Sequence, residues 1–243
     1  MYSKTLQDLG LSHVFLHKPY DFRAKTQGPR VKDHLDQALK EEKIFPQKIY
    51  SAYQVHSNKI QLVDEKAQGK DFFYGEIFLS CDGLVTPLKN RALLIKVADC
   101  CPILLYDPLH GVLANLHAGW KGTLGKISLE ALDLMASHYG TRPQDLVAYI
   151  GPSIGFKDFE IMEDLKTQWD QTLPLAKDLI QKKDANHFLL DLKETNRRLL
   201  LEAGLAPGKI EVSPLSTYSD PRLHSYRRDK KAFGLNALVA MMT

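Results

Sequence analysis

The sequence predicts an α+β fold in which mixed β-sheets are covered by helices. Segments with the apolar pattern of strands occur in consecutive pairs as well as in alternation with helical segments, which is typical of this class. The 243 residues are 44% hydrophobic and 25% charged, enough to bury a sizeable core. No Pro- or Ser-rich linker divides the chain. We therefore expect a single domain over residues 1–243.

The first third of the chain is predicted to hold one helix and several short strands. A polar segment containing Gly-Pro leads into a helix near Val31–Lys43. Strand-like segments follow at 49–55 and 59–64, with His-Ser-Asn as the turn between them. A polar loop at 65–76 then precedes a short strand that begins at Asp82.

The centre of the chain carries the strongest strand patterns. Residues 92–97, ALLIKV, are almost wholly apolar, as in a strand buried on both faces. The apolar runs 103–106 and 112–116 flank Asp-Pro-Leu-His-Gly, whose Asp-Pro and Gly are hairpin signals. Apolar residues then recur with the period of a helix over Leu124–Met135, and Gly140 is its expected end.

The rest of the chain is predicted to be mostly helical after one further buried strand, LVAYIG at 146–151. Helices are expected within 159–173 and 192–204, and a short strand at 210–213. The apolar run FGLNALVAMM at 233–242 predicts a terminal helix.

Charge and composition exclude several classes of protein. The net charge is +3, and apart from Arg227–Lys231 the basic residues are dispersed, so we expect no nucleic-acid partner. The N-terminal segment has no signal-peptide pattern, and no run approaches the ~18 apolar residues of a membrane span. Three cysteines, an odd number, argue against a disulfide framework. We therefore expect a reduced, cytoplasmic protein that binds no membrane.

Three potential metal ligands occupy comparable positions in the predicted strands. His56 follows a strand, Cys100 lies at a strand end, and His117 precedes a glycine-containing turn. Two imidazoles and one thiolate are a ligand set of catalytic zinc with an open fourth position. Each residue alone is more often inert, as a small apolar side chain or a hydrogen-bonded polar group. Because neighbouring side chains of an extended segment face opposite ways, only one of Cys100 and Cys101 can serve, and periodicity does not choose.

A second group of candidates suits an anion. Gly119 and Gly122 permit backbone conformations that other residues avoid, so amides at the following helix start could converge on a ligand beside Lys121. Arg227 and Arg228 carry planar donors that suit phosphate or carboxylate. An ordinary strand-to-helix turn and a solvated basic patch are the alternatives.

Two aspartates are candidates to support the metal ligands. Asp82 and Asp99 could accept hydrogen bonds from the ligand histidines. Both also fit ordinary turns. The tight turn GPSIG at 151–155 could bring backbone close to a ligand, although a turn needs no function.

Six sequence blocks resemble one known family, long labelled multicopper polyphenol oxidase or laccase-domain and later described as purine nucleoside phosphorylase. The blocks are QVHS at 54–57, DGLVT at 82–86, VADCCPILLYD at 97–107, NLHAGWKGT at 115–123, GPSIG at 151–155 and HSYRRD at 224–229. The Ala-Asp-Cys-x-Pro and His-Ala-Gly-Trp blocks are the specific ones. The resemblance runs from about Gln54 to the C-terminal residue.

The resemblance implies a metal triad of His56, Cys100 and His117, with Cys101 as a core residue. It implies zinc, with copper less favoured, and phosphorolysis of adenosine, inosine and methylthioadenosine together with deamination of adenosine. The implied partners are a small purine nucleoside and phosphate. The implied fold is α+β with mixed sheets covered by helices, of the YfiH-like cysteine-hydrolase type.

The chain departs from the family pattern at several substrate contacts. Lys121 stands where the family usually has arginine, Lys18 lies nearest to an expected N-terminal arginine, and Leu235 replaces the arginine of a Gly-Arg pair. Ser216 replaces the cysteine of a Cys-Thr pair, and Ser57 replaces a glycine after Gln-Val-His. The metal ligands are therefore intact, while the contacts that hold anion and nucleoside are altered.

Three other functions compete with the phosphorylase. A copper-dependent phenol oxidase normally needs several histidine-rich sites, which nine scattered histidines do not suggest. A Cys–His hydrolase would use Cys100 as its nucleophile and stay active after chelation. A non-catalytic relative would keep the metal and lack the substrate site. The sequence leaves the oligomeric state and the preferred nucleoside open.

Overall fold

Two six-stranded sheets and one small sheet account for all strands of the protein, whose computed structural model describes residues 1–243. The strands are β1 (Ser12–Leu16), β2 (Lys48–Tyr53), β3 (Ile60–Leu62), β4 (Lys70–Phe72), β5 (Gly75–Leu79), β6 (Gly83–Thr86), β7 (Arg91–Val97), β8 (Cys101–Asp107), β9 (Val112–Ala118), β10 (Val147–Ile150), β11 (Glu160–Met162), β12 (Ile180–Lys182), β13 (His187–Leu190), β14 (Ile210–Val212) and β15 (Asn236–Met241). The first sheet has the order β1-β15-β7-β2-β5-β4, the second β14-β10-β8-β9-β6-β3 and the third β11-β13-β12.

Both large sheets are mixed. In the first sheet β2 runs parallel to β5 and β7, whereas β15 is antiparallel to β1 and β7. In the second sheet β3 and β14 run parallel to their neighbours, and the other pairs are antiparallel. The predicted α+β fold with mixed sheets is confirmed.

Eight helices flank these sheets. They are α1 (Lys4–Asp8), α2 (Ala24–Gln27), α3 (Arg30–Glu41), α4 (Trp120–Leu124), α5 (Ile127–Tyr139), α6 (Glu163–Thr172), α7 (Leu192–Glu202) and α8 (Tyr226–Asp229). The predicted central helix is divided between α4 and α5, and it ends as expected at Gly140, which adopts the left-handed conformation with φ of 70°.

Three apolar clusters define the layers. One cluster lies between the large sheets and includes Leu93 and Leu104. Another packs the outer face of the second sheet against α5, α6 and α7, with Trp169 fully buried. A third packs the outer face of the first sheet against α3 through residues such as Leu94 and Leu35. The layer order is therefore helix, sheet, sheet, helices, and apolar burial on both faces of each sheet is the main stabilising term.

The predicted terminal helix is wrong. Residues 236–241 form β15, which lies between β1 and β7, and all six residues are buried. Leu238 faces the inter-sheet cluster and Val239 faces α3. A run that is apolar on both faces fits a buried helix and a buried strand equally well. Residues 236–241 form a strand because they pair with β1 on one side and with β7 on the other.

Two smaller predictions also need correction. The polar loop predicted at 65–76 contains β4 and the start of β5, which close the first sheet at its edge. The predicted helix at 159–173 begins only at Glu163, because residues 160–162 form β11 of the small sheet. Short edge strands with polar residues carry weak patterns, so their tertiary partners determine them.

Strand topology brings the candidate ligands together. Because β2 and β7 run parallel, their carboxyl ends lie at the same edge of the first sheet. His56 follows the end of β2 by three residues, and Cys100 follows the end of β7 by three residues. The β8–β9 register pairs Pro102 with His117, which places that histidine beside Cys100. No helix is both long and apolar enough to cross a bilayer.

Candidate metal centre

His56, Cys100 and His117 converge at the mouth of the space between the two large sheets. Their ligand-capable atoms all lie within 4.8 Å of one another, the one such group of histidine, cysteine and acidic residues in the structure. The two imidazole rings meet edge to face, with centroids 4.9 Å apart. His56 is exposed, Cys100 half-buried and His117 buried, so the cluster is anchored inside and open to solvent on the His56 side.

Asp82 holds the imidazole of His117 in one tautomer. Its Oδ1 lies 2.8 Å from Nδ1 of His117, and the carboxylate is fully buried. Burial alone would raise the pKa of Asp82, but hydrogen bonds from His117 and Ser57 outweigh it and lower the pKa to about 2. An ionised carboxylate can only accept, so Nδ1 carries the proton and Nε2 is left to bind a metal. The predicted supporting role of Asp82 fits this geometry.

The same carboxylate shapes the turn that carries His56. Asp82 accepts from the amides of His56 at 2.9 Å and Ser57 at 2.7 Å, and from the Ser57 hydroxyl at 2.7 Å. His56 has a φ of 61°, a left-handed conformation that is costly for a residue with a side chain. One buried aspartate therefore fixes the ring of one histidine and the backbone of the other.

Cys100 and His117 each favour the charged form of the other. Burial favours the neutral thiol, but the positive charge of His117 and hydrogen bonds from His117 and His56 lower the pKa of Cys100 to about 6. Burial disfavours protonated His117, yet the thiolate and Asp82 raise its pKa to about 9. The thiolate is the form of cysteine that binds metals and reacts as a nucleophile.

The structure separates the two adjacent cysteines. Cys101 is fully buried in the cluster beneath the second sheet, where its Sγ lies 3.1 Å from Ser153 Oγ. Burial raises the pKa of Cys101 to about 12, so this thiol stays neutral. Cys100 alone faces the histidines, as the family resemblance implied.

Because Gly119 has no side chain, Cys100 and His56 can pack directly against its backbone. A Cβ at this position would lie 2.8 Å from Cys100 Sγ and 3.1 Å from His56 Cδ2. Its φ of −72° is ordinary, so the predicted conformational reason for this glycine is wrong. Gly122 lies within α4 and also has no positive φ. Close approach, which only tertiary contacts reveal, is the reason for glycine at 119.

Asp99 does not contact the histidines. Its Oδ1 accepts from the Thr217 hydroxyl at 2.6 Å, and its Oδ2 accepts from the Arg227 amide at 2.7 Å. The predicted role as an acceptor for ligand histidines is therefore not the one the structure gives it. Thr217, which is fully buried, was missed by sequence reasoning, although it follows Ser216, a departure from the family pattern.

The three predicted phosphate ligands differ in availability. Lys121 is exposed, with Nζ 5.3 Å from the Trp120 ring centroid. The Arg227 guanidinium lies over Phe159 and donates to the Glu160 carbonyl at 2.7 Å, which leaves further donors unused.

Arg228 is engaged inside the protein. Its guanidinium donates to Asp229 and to four backbone carbonyls, which belong to Thr217, Tyr218, Asp220 and Leu223. All five N–H donors are thereby used. The geometry does not favour the predicted role of Arg228 in binding phosphate. Arg228 instead holds the loop before α8 through hydrogen bonds to its backbone carbonyls.

The altered family positions have structural partners of their own. Lys18 donates to the Pro221 carbonyl at 3.0 Å, and Leu235 packs against the cluster under α3. Ser216 donates to Asp158 at 2.6 Å and accepts from the Gly155 amide at 3.0 Å.

A His–Cys–His cluster held by a buried aspartate at one end of a four-layer α+β fold defines a candidate metalloprotein. The sequence model of the family described as "Multi-copper polyphenol oxidoreductase laccase" matches residues 20–243. The chain belongs to this family, and the resemblance predicted from the six sequence blocks is confirmed.

Relatives and solved structures agree with this assignment. The chain is 38% identical over 186 residues to purine nucleoside phosphorylase YlmD of Bacillus subtilis and 32% identical over 176 residues to a purine nucleoside phosphorylase of Bacteroides thetaiotaomicron. These matches cover 75% and 72% of this chain but 66% and 65% of those proteins. The hypothetical protein YfiH of Bacillus licheniformis superposes with a TM-score of 0.85 at 27% identity, covering 96% of this chain and 91% of that one.

Proposed function

We propose that this chain is a zinc-dependent purine nucleoside phosphorylase, a single domain over residues 1–243 that acts in the cytoplasm. Its substrates would be adenosine, inosine and methylthioadenosine with phosphate, and deamination of adenosine would be a further activity. The observation that carries the proposal is the His56–Cys100–His117 cluster, compact and open on one side. The names of the relatives support the purine chemistry.

The donor set fits zinc. Two imidazoles and a low-pKa thiolate match a three-ligand catalytic zinc site, and Asp82 supplies the partner that such a histidine usually has. When bound, zinc supplies Lewis acidity. The structure contains one cluster of this kind, whereas copper oxidation normally needs several. These features favour zinc over copper and phosphorolysis over phenol oxidation.

The residues beside the cluster suit an anionic co-substrate. We propose that Lys121 and Arg227 orient phosphate so that one of its oxygens attacks C1′ of the nucleoside. The C1′–N9 bond breaks, its electron pair leaves with the purine, and the purine takes up a proton from phosphate or solvent. Lys121 follows His117 by four residues, and the Arg227 amide is bonded to the residue before Cys100, so both cations belong to segments that frame the cluster.

The decisive experiment measures adenine release from adenosine by purified, zinc-loaded protein with and without phosphate. Release that requires phosphate and yields ribose 1-phosphate is the expected result. The Cys100→Ser variant should lose zinc and activity, whereas Cys81→Ser, which changes a buried cysteine outside the cluster, should keep both. Zinc-loaded protein that releases no adenine would favour the non-catalytic relative.

One observation favours a second function. Cys100, His117 and Asp82 form a thiolate–imidazolium–carboxylate series, the arrangement of a Cys–His hydrolase. A hydrolase would be inactivated by iodoacetamide and remain active after chelation. The phosphorylase should lose activity when zinc is chelated and regain it when zinc is added back. Its Cys100 thiolate should resist alkylation as long as it is bound to zinc.

A further inference from the structure

We propose that Asp99 and Thr217 act as positioning residues that hold Cys100 in place for metal binding. Asp82 holds the two histidines, and nothing bonded to Asp82 lies on the segment that carries the cysteine. The inference rests on the proposed metal site, but it does not depend on which reaction the site performs.

Asp99, the residue directly before Cys100, is hydrogen-bonded to three other segments of the chain. Its carbonyl accepts from the Ile154 amide at 2.9 Å, within the GPSIG turn. Its carboxylate accepts from the Thr217 hydroxyl at 2.6 Å and from the Arg227 amide at 2.7 Å, at the beginning of α8. The backbone at Asp99 has a φ of 89°, which a residue with a side chain rarely adopts. These bonds therefore maintain a conformation that the residue would otherwise leave.

Thr217 is itself firmly anchored. It is fully buried, and its amide donates to the Ser153 carbonyl at 3.0 Å. Its carbonyl accepts from Arg228 at 2.9 Å, and Arg228 fastens three further carbonyls of the same loop. The Thr217 hydroxyl that donates to Asp99 therefore belongs to a residue whose backbone is fixed by hydrogen bonds on both sides.

In this proposal the two aspartates support different candidate ligands. Asp82 fixes the tautomer of His117 and the turn at His56, whereas Asp99 fixes the backbone from which the Cys100 thiolate extends. A metal ligand that moves by a fraction of an ångström loses overlap with the metal, so loss of the Thr217 hydroxyl should weaken the cysteine–metal bond specifically.

The test compares Thr217→Val with Thr217→Ser in cobalt- and zinc-binding titrations. Valine keeps the shape and removes the hydroxyl; serine keeps the hydroxyl. For Thr217→Val we expect zinc affinity about 10- to 100-fold weaker and a weaker thiolate-to-cobalt charge-transfer band. For Thr217→Ser we expect both close to wild type.

Thr86→Val is the matched control. Thr86 is also fully buried and donates to a backbone carbonyl, that of Val63 at 2.7 Å, but it lies at the opposite end of β6 from Asp82. It should lose stability without losing the charge-transfer band. If Thr217→Val does not fold, Asp99→Ala provides the second variant, because it removes both acceptor oxygens, and it should show the same weaker zinc binding and charge-transfer band.

Three outcomes would overturn the inference in different ways. A Thr217→Val protein that is folded and binds zinc and cobalt as the wild type does would show that Cys100 needs no such support. Wild-type protein that binds neither ion would reject the metal site and this inference with it. Weaker binding by Thr217→Val that serine does not rescue would assign the effect to packing and also reject the inference.

Discussion

His117 Nδ1 lies 2.8 Å from Asp82 Oδ1, and both side chains are buried at the mouth between the two large sheets. Because the carboxylate also accepts from the amides of His56 and Ser57, one residue sets the geometry of two of the three candidate ligands.

Replacing Asp82 should therefore weaken metal binding more than it weakens the fold. For Asp82→Asn we expect zinc affinity about 10- to 100-fold lower, measured by competition with a chromophoric chelator. Asp107→Asn is the matched control, since Asp107 is also fully buried and its Oδ2 lies 2.8 Å from His110 Nδ1, away from the cluster. Equal zinc affinity in the two variants would contradict the role given to Asp82.

A methyl group at position 119 should disrupt the cluster directly. Gly119→Ala places a Cβ 2.8 Å from Cys100 Sγ, so the thiolate or the backbone must move, and we expect zinc binding to fall at least about tenfold, as for a displaced ligand. Gly208→Ala should have no effect, because a Cβ there has no neighbour within 4 Å. Zinc content measured by mass spectrometry after dialysis checks both. Stoichiometric zinc in Gly119→Ala would show that the cluster tolerates the methyl group.

Lys121 should affect phosphate rather than nucleoside. For Lys121→Ala we expect the KM for phosphate to rise about tenfold, the loss of one charged contact, while Lys121→Arg restores a forked donor and should keep or lower that KM. Steady-state kinetics at varied phosphate checks this, with the exposed Lys25→Ala as the control. An unchanged phosphate KM in Lys121→Ala would remove this residue from the anion site.

His13 should make the fold less stable in acid. The ring is buried, with Nε2 accepting from the Ser3 amide at 2.8 Å and Nδ1 bonded to the Leu11 carbonyl, and burial lowers the pKa of His13 below 6.5. As the pH falls below 6.5, the unfolded chain therefore takes up a proton before the folded chain does, and the free energy of unfolding decreases.

Urea unfolding at several pH values between neutrality and mild acid measures this effect. His13→Gln should be less stable at neutral pH by about 1 kcal/mol, the worth of one hydrogen bond, and should lose less stability on acidification than wild type. His138→Gln, which changes an exposed histidine, should follow the wild-type curve. A wild-type slope in His13→Gln would show that other groups cause the acid sensitivity.

Local patterns predicted much of the fold because they depend on near neighbours. The hairpin of β8 and β9, the strand β7 and the end of α5 at Gly140 follow from turn residues and apolar periodicity. β15 could not be predicted in the same way, since its buried character is compatible with a helix until β1 and β7 are known to lie on either side of it.

The candidate site shows the same division. The sequence by itself predicted the family from six blocks, and the resemblance named His56, Cys100 and His117 as candidate ligands. Only the tertiary structure decided which cysteine faces the histidines, why residue 119 is glycine, and that Asp82 contacts His117 whereas Asp99 contacts Thr217. These are relations between atoms brought together from distant parts of the chain, and a sequence pattern reports the residue types without reporting that proximity.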